Sequence, residues 1–169
     1  YPADYAAGAA APDLAARRAL AAKAFGHTAA YDSEVAGWLR SDDGAPDEWT
    51  VGGRKVFDLR YGENPHQAAS FYATGPADSG LAGARIIQGK TLSYNNLLDA
   101  DGCLRMVEDL ASEAAAACVI VKHTNPCGVA LAATAAQAFE QARACDPVSF
   151  FGGIVGFNGV VDGAAAEAM

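Results

Sequence analysis

Lys122 and His123 stand side by side in Val121-Lys-His-Thr-Asn-Pro-Cys-Gly128, directly after the apolar run Ala116-Ala-Cys-Val-Ile-Val121. Ligands of open α/β sheets collect at the carboxyl ends of strands, and packing gives little reason for a cation and an imidazole to emerge there together. An imidazole titrates near neutrality and can take or give a proton. An adjacent ammonium can depress its proton affinity and can stabilise a developing oxyanion. The plain alternative is a structural histidine beside a lysine whose stem covers apolar surface. A second polar cluster is Arg60-Tyr-Gly-Glu-Asn-Pro-His-Gln67. Arg60 offers a planar fork suited to phosphate, and Tyr61 a hydroxyl and a stacking face. Composition alone fits equally a well-capped turn with a surface arginine. The third cluster, Cys145-Asp-Pro-Val-Ser-Phe-Phe-Gly-Gly153, starts a turn at Asp146-Pro147 and permits close backbone approach at Gly152-Gly153.

Other chemistries fail on spacing. Gly89-Lys90-Thr91 imitates the tail of a P-loop, but the first glycine of that motif falls at position 84, which is Ala84. Pro126-Cys127 imitates half of a zinc-deaminase signature, but the second cysteine falls at Ala130. His27, His66 and His123 are followed two residues on by Ala29, Ala68 and Asn125, so no H-x-E occurs. Metal-assisted deamination is therefore not expected. Neither a G-x-S-x-G elbow nor a dinucleotide-binding G-x-G-x-x-G is present.

The elements that must position these clusters follow from periodicity. Asp13 is placed to cap a helix from Leu14 to about Leu39. Its Phe25, Thr28, Tyr31 or Asp32, Val35 and Trp38 or Leu39 recur at three- and four-residue steps, predicting one apolar stripe. Gly26 and Asp32-Ser33 are the points where it could divide in two. The polar stretch 41–48 reads as a linker between domains. After it, Trp49–Val51, Lys55–Leu59, Ala69–Tyr72 and Ala84–Gln88 are strand-like, with a loop over Thr74–Gly83. A helix is predicted over Asn96–Ala111, a strand buried on both faces over Ala116–Val121, a helix over Ala133–Cys145 and a strand over Gly153–Phe157. Strands alternating with helices in this way predict a three-layer α/β domain.

Composition bounds the rest. Hydrophobic residues make up 51% of the 169 and charged residues 19%, a globular balance. The net charge of −8 excludes an overall basic surface for nucleic acid, though not a local anion pocket. Alanine supplies 40 residues, which favours helix and tight packing and carries no chemistry. Cys103, Cys118, Cys127 and Cys145 show no C-x-x-C spacing, and reduced thiols of a cytoplasmic protein are expected. No signal-peptide pattern opens the chain, and the apolar runs 114–121 and 150–157 are far shorter than the roughly 20 residues of a membrane span. Tyr1 in place of an initiator Met, and a helix that starts near Val161 and stops at Met169, lead us to expect an internal piece of a longer chain.

Taken together, the clusters resemble the bacterial bifunctional purine-biosynthesis enzymes that join AICAR transformylase to IMP cyclohydrolase. Arg60–Gln67, Gln88-Gly-Lys-Thr-Leu-Ser-Tyr-Asn-Asn-Leu-Leu-Asp-Ala100, Val121–Gly128 and Asp146-Pro-Val-Ser149 follow in that family's order and spacing. Leu20–Phe25 with His27–Asp32 is similar to the helical end of its cyclohydrolase domain. Phe150 departs from the pattern, which has a small residue there.

The resemblance implies residues 1–40 as the end of a cyclohydrolase domain, 41–48 as linker and 49–169 as the first part of a transformylase domain. It implies a cytidine-deaminase-like subdomain without the zinc, homodimers with sites built across the interface, and no metal. The implied reaction moves a formyl group from 10-formyltetrahydrofolate to the 5-amino group of the AICAR nucleotide, with closure of FAICAR to IMP in the intact protein. By resemblance His123 accepts the proton, Lys122 stabilises the transition state, Arg60 and Tyr61 bind the nucleotide, and Asn96 and Asp146 make further substrate contacts. Much of the folate surface and the cyclohydrolase site are expected outside these residues, leaving this stretch inactive alone. The rival expectations are a non-catalytic nucleotide-binding module and a zinc-deaminase relative.

Overall fold

A computed structural model describes residues 1–40, 44–75 and 79–169. Part of the expected linker (41–43) and part of the expected 74–83 loop (76–78) lie outside the described residues. The chain divides into two units, Tyr1–Lys55 with Tyr72–Gly75, and Val56–Phe71 with Pro76–Met169.

In the first unit a 3-10 turn, Pro2–Asp4, leads into α1 (Tyr5–Ala9) and then α2 (Leu14–Leu39). The Asp13 side chain accepts the Ala16 N–H at 2.8 Å, the expected cap, and such caps contribute about 1 kcal/mol. The helix runs unbroken through Gly26 and Asp32-Ser33. The residues of its expected apolar stripe are not buried: Phe25 and Trp38 are each 76% exposed. Alanine-rich propensity and the cap favour the helix, and the backbone at Gly52 lies close against it at Ala30.

The paired strands β1 (Arg54–Asp58) and β2 (Ser70–Ala73) form a two-stranded sheet. Two other expected strands do not form among the described residues. There Trp49–Val51 and Ala84–Gln88 have no ladder partner, and their large side chains (Trp49, Val51, Ile86, Ile87) are exposed. β-branched residues suit a pleated surface, but only pairing makes one.

The second unit holds a three-stranded antiparallel sheet in the order β4-β3-β5, from β3 (Ala116–Lys122), β4 (Asn125–Ala132) and β5 (Ile154–Phe157). Two-residue alternation along β3 divides its side chains between two layers. Ala116, Cys118 and Ile120 pack with Ala138, Phe139 and Ala142 of α4 (Ala135–Cys145). Val119 and Val121 pack with Cys103 and Val107 of α3 (Tyr94–Asp109). The six residues Ala116–Val121 are buried on both faces, as their composition predicts. A short α5 (Gly163–Ala168), capped by Asp162, adds Ala168 to the α4 side. Phe150, the residue that departs from the family pattern, is half-buried against this same cluster.

The largest addition to the sequence reading is β4. The segment after β3, to which the sequence reading assigns no element, is a tight hairpin, with Lys122 paired to Asn125 and only His123-Thr124 between them. Pro126 and the lack of glycine in the turn hide this strand. Proline is tolerated because β4 is an edge.

All four cysteines are free thiols. Burial pushes the Cys103 thiol up to about 11, and burial together with the nearby Cys103 pushes Cys118 up to about 12. An alkylating reagent at pH 8 is therefore expected to modify exposed Cys145 first and half-buried Cys127 more slowly. Cys103 and Cys118 should react only on unfolding, a pattern that peptide mass mapping reads directly.

Candidate functional site

Helix α3 holds two of the three clusters. Its start is fixed by a capping box: Ser93 Oγ accepts the Asn96 N–H at 3.3 Å, and Asn96 Oδ1 accepts the Ser93 N–H at 3.0 Å. Ser93 is fully buried, and both halves of the box satisfy donors that would otherwise be orphaned at the helix end. The Arg60–Gln67 cluster lies along this start. Arg60 N–H donates to the Leu92 carbonyl at 2.8 Å, and Tyr94 N–H to the Tyr61 carbonyl at 3.1 Å. The Asn95 side-chain amide donates to the Glu63 carbonyl at 3.3 Å. Within the loop Gly62 and Gln67 close a turn, and Gln67 Oε1 takes the Asn64 N–H.

One and a half turns further along α3, Asp99 Oδ1 accepts the Thr124 N–H of the β3–β4 turn at 2.7 Å. Tyr94 and Asp99 are five residues apart, about 7.5 Å along the axis. The helix thus ties the backbone beside Arg60-Tyr61 and the backbone beside His123 to one short rod. From the same hairpin Lys122 reaches the third cluster, its ammonium donating to the Phe151 carbonyl at 3.0 Å.

The side chains differ in how committed they are. The Arg60 guanidinium lies 4.8 Å from the Tyr61 ring centre and donates to its hydroxyl at 3.2 Å. Among the described residues no carboxylate pairs with it. An arginine stacked on an aromatic face and lacking a counter-ion is prepared for an external anion. Lys122 is half-buried and keeps two of its three donors beyond the Phe151 bond. His123 is exposed, and among the described residues its ring makes no hydrogen bond. That leaves both ring nitrogens open to a ligand.

Asn96 and Asp146 have local duties. Asn96 Oδ1 is spent on the capping box, which leaves the amide nitrogen for another partner. Asp146 Oδ1 accepts the N–H groups of Val148 and Ser149 at 3.1 and 2.9 Å, the turn expected from Asp146-Pro147. The Ser149 hydroxyl, then these N–H groups, hold its carboxyl below the ordinary value against a small desolvation cost, and the Lys122 charge adds to the effect. Residues of the site that sequence reading passes over are Asp99 and Ser93. Asp99 falls three residues after Asn96, on the same face of a helix that the sequence predicts, but its partner Thr124 lies 25 residues away and only the fold brings the two together.

Among the described residues no three of His, Cys, Asp and Glu come together as a metal site, and no helix is long and apolar enough to cross a membrane.

Comparisons with known proteins agree along the chain. The chain is 49% identical over 156 residues to the bifunctional purine biosynthesis protein PurH of Parvibaculum lavamentivorans, covering 91% of this chain and 29% of the relative. It is 50% identical over 153 residues to the PurH of a Chelativorans strain, covering 89% and 28%. For the PurH of Rhizobium rhizogenes the identity is 46% over the same shares. The chain thus spans less than a third of the length of these relatives. The family model described as AICARFT/IMPCHase bienzyme matches residues 3–169, so the chain belongs to the AICARFT/IMPCHase bienzyme family.

Proposed function

We propose that this chain carries the nucleotide-holding and proton-transferring part of a transformylase site in de novo purine biosynthesis. Within the whole protein that site acts beside an IMP cyclohydrolase. In this reading residues 1–40 end the cyclohydrolase domain, 41–48 link, and 49–169 begin a cytidine-deaminase-like transformylase domain that pairs as a homodimer in the cytoplasm. The observation that carries it is α3, which binds the Arg60-Tyr61 loop at Tyr94 and the His123 turn at Asp99.

The chemistry follows from the substrates. The 5-amino group of AICAR is conjugated to an imidazole carboxamide and is a weak nucleophile. Its nitrogen attacks the formyl carbon of 10-formyltetrahydrofolate, a C–N bond forms, and the bond from that carbon to N10 breaks. His123 takes the proton that the amine loses, and N10 of the departing folate gains one. Lys122 uses the donors left after Phe151 to stabilise charge on the formyl oxygen. Arg60 takes the nucleotide phosphate from its perch on Tyr61, with Asn96 Nδ2 and Asp146 as further contacts. None of these steps calls for a metal.

Arg60→Ala in a full-length family protein carrying this segment tests the nucleotide half. Losing one charge-assisted bond to phosphate should raise the KM for AICAR about 10- to 100-fold with kcat little changed. An unchanged KM would remove Arg60 from the phosphate site.

A further inference from the structure

The turn that carries His123 is strained, and one residue outside the hairpin holds it. His123 and Thr124 both adopt left-handed backbone, with φ of 52° and 63°. Such two-residue turns ordinarily use Asn, Asp or Gly, which tolerate that region, so the surroundings must fix it here. Two of the bonds are local, from Thr124 Oγ1 and Asn125 Nδ2 to the His123 carbonyl at 2.6 and 2.8 Å. They come from the turn itself and travel with it. The third comes from α3, where Asp99 Oδ1 accepts the Thr124 N–H at 2.7 Å across 25 residues of sequence. One turn of helix later, Gly102 places its Cβ direction 3.9 Å from the Thr124 carbonyl, so the same face of α3 abuts the turn.

We propose that Asp99 is a positioning residue for His123. Its carboxylate anchors the left-handed turn to the rigid helix and thereby fixes the direction in which the imidazole leaves the hairpin. Asp99 touches no reacting atom in this scheme, and the proposal rests on the reading of His123 as proton acceptor. A turn released from α3 keeps its local bonds but lets the ring wander, and misplacement by about 1 Å costs on the order of 100-fold in rate.

The test is a set of variants in a full-length family protein carrying this segment, assayed for formyl transfer with circular dichroism as a check on folding. Asp99→Ala should lower kcat about 10- to 100-fold and leave the KM for AICAR within about twofold. Asp99→Asn retains an acceptor oxygen at the same place and should restore most of the loss. Adding Thr124→Gly to Asp99→Ala should restore part of it, since glycine takes the left-handed region without penalty. In a His123→Ala background, Asp99→Ala should cost nothing further, because the group it positions is gone. Should the alanine variant fail to fold, Asp99→Glu, which shifts the acceptor by one methylene, is expected to give the same kcat loss. Unchanged kcat in Asp99→Ala, or an equal loss in the His123→Ala background, overturns the proposal. A His123→Ala protein with undiminished transfer overturns the proton-acceptor reading itself, and the positioning role with it.

Discussion

Replacing His123 by alanine in a full-length protein that carries this segment is expected to lower formyl transfer by about 10²- to 10⁴-fold while AICAR binding is kept. The size of the loss is that of a removed general base. Binding should survive because His123 is exposed at a hairpin tip and its ring makes no hydrogen bond among the described residues. Truncating it therefore removes little that holds the fold together. The anion site proposed at Arg60-Tyr61 hangs on the other end of the helix stretch, through Tyr94. Single-turnover rates together with calorimetric titration of AICAR separate the two effects. Transfer that persists would favour a binding module in which the Lys122-His123 pair is incidental.

The largest expected effect on folding lies at Gly128 and not at any polar residue. A Cβ at this position of β4 would stand 2.0 Å from the Ala142 carbonyl oxygen and 2.8 Å from its carbon. Both atoms belong to the backbone of α4, so no side chain can turn aside. The whole helix would have to lift from the sheet that it covers through Ala138, Phe139 and Ala142. Gly128→Ala is expected to destabilise by at least about 3 kcal/mol, the upper range of overpacking, or to prevent folding. Gly102→Ala is the matched control: its nearest contact is at 3.9 Å, and it lies inside α3. There the added methyl should be neutral or stabilise by about 0.5–1 kcal/mol. Denaturant midpoints of the two variants compare them directly, and equal shifts would contradict the argument from close approach.

Much of this architecture was legible in residue order. The α2 cap at Asp13, the β3 run buried on both faces and the helices α3 and α4 follow from local rules: a side-chain oxygen before a helix, apolar continuity, and three- and four-residue repeats. The α2 stripe was legible as a pattern, yet its burial was not, since periodicity says which residues share a face but not what covers it. The strands misread at Trp49–Val51 and Ala84–Gln88 failed for the same reason. A ladder is a property of two segments.

The candidate site divides in the same way. Residue types alone determined the chemistry on offer: Lys122 beside His123 for proton transfer and charge, Arg60 beside Tyr61 for an anion, Asp146-Pro147 for a turn. The four ordered motifs also determined the family. Tertiary structure decided the connections, none of which is local in sequence. Asp99 meets Thr124 across 25 residues, and Lys122 meets the Phe151 carbonyl across 29. It also decided that His123 sits on left-handed backbone with no glycine to announce it. Local sequence fixes which bonds a residue is able to make. Only the packing of α3 and β5 against β3 brings the partner groups within hydrogen-bond reach and makes the strained turn stable.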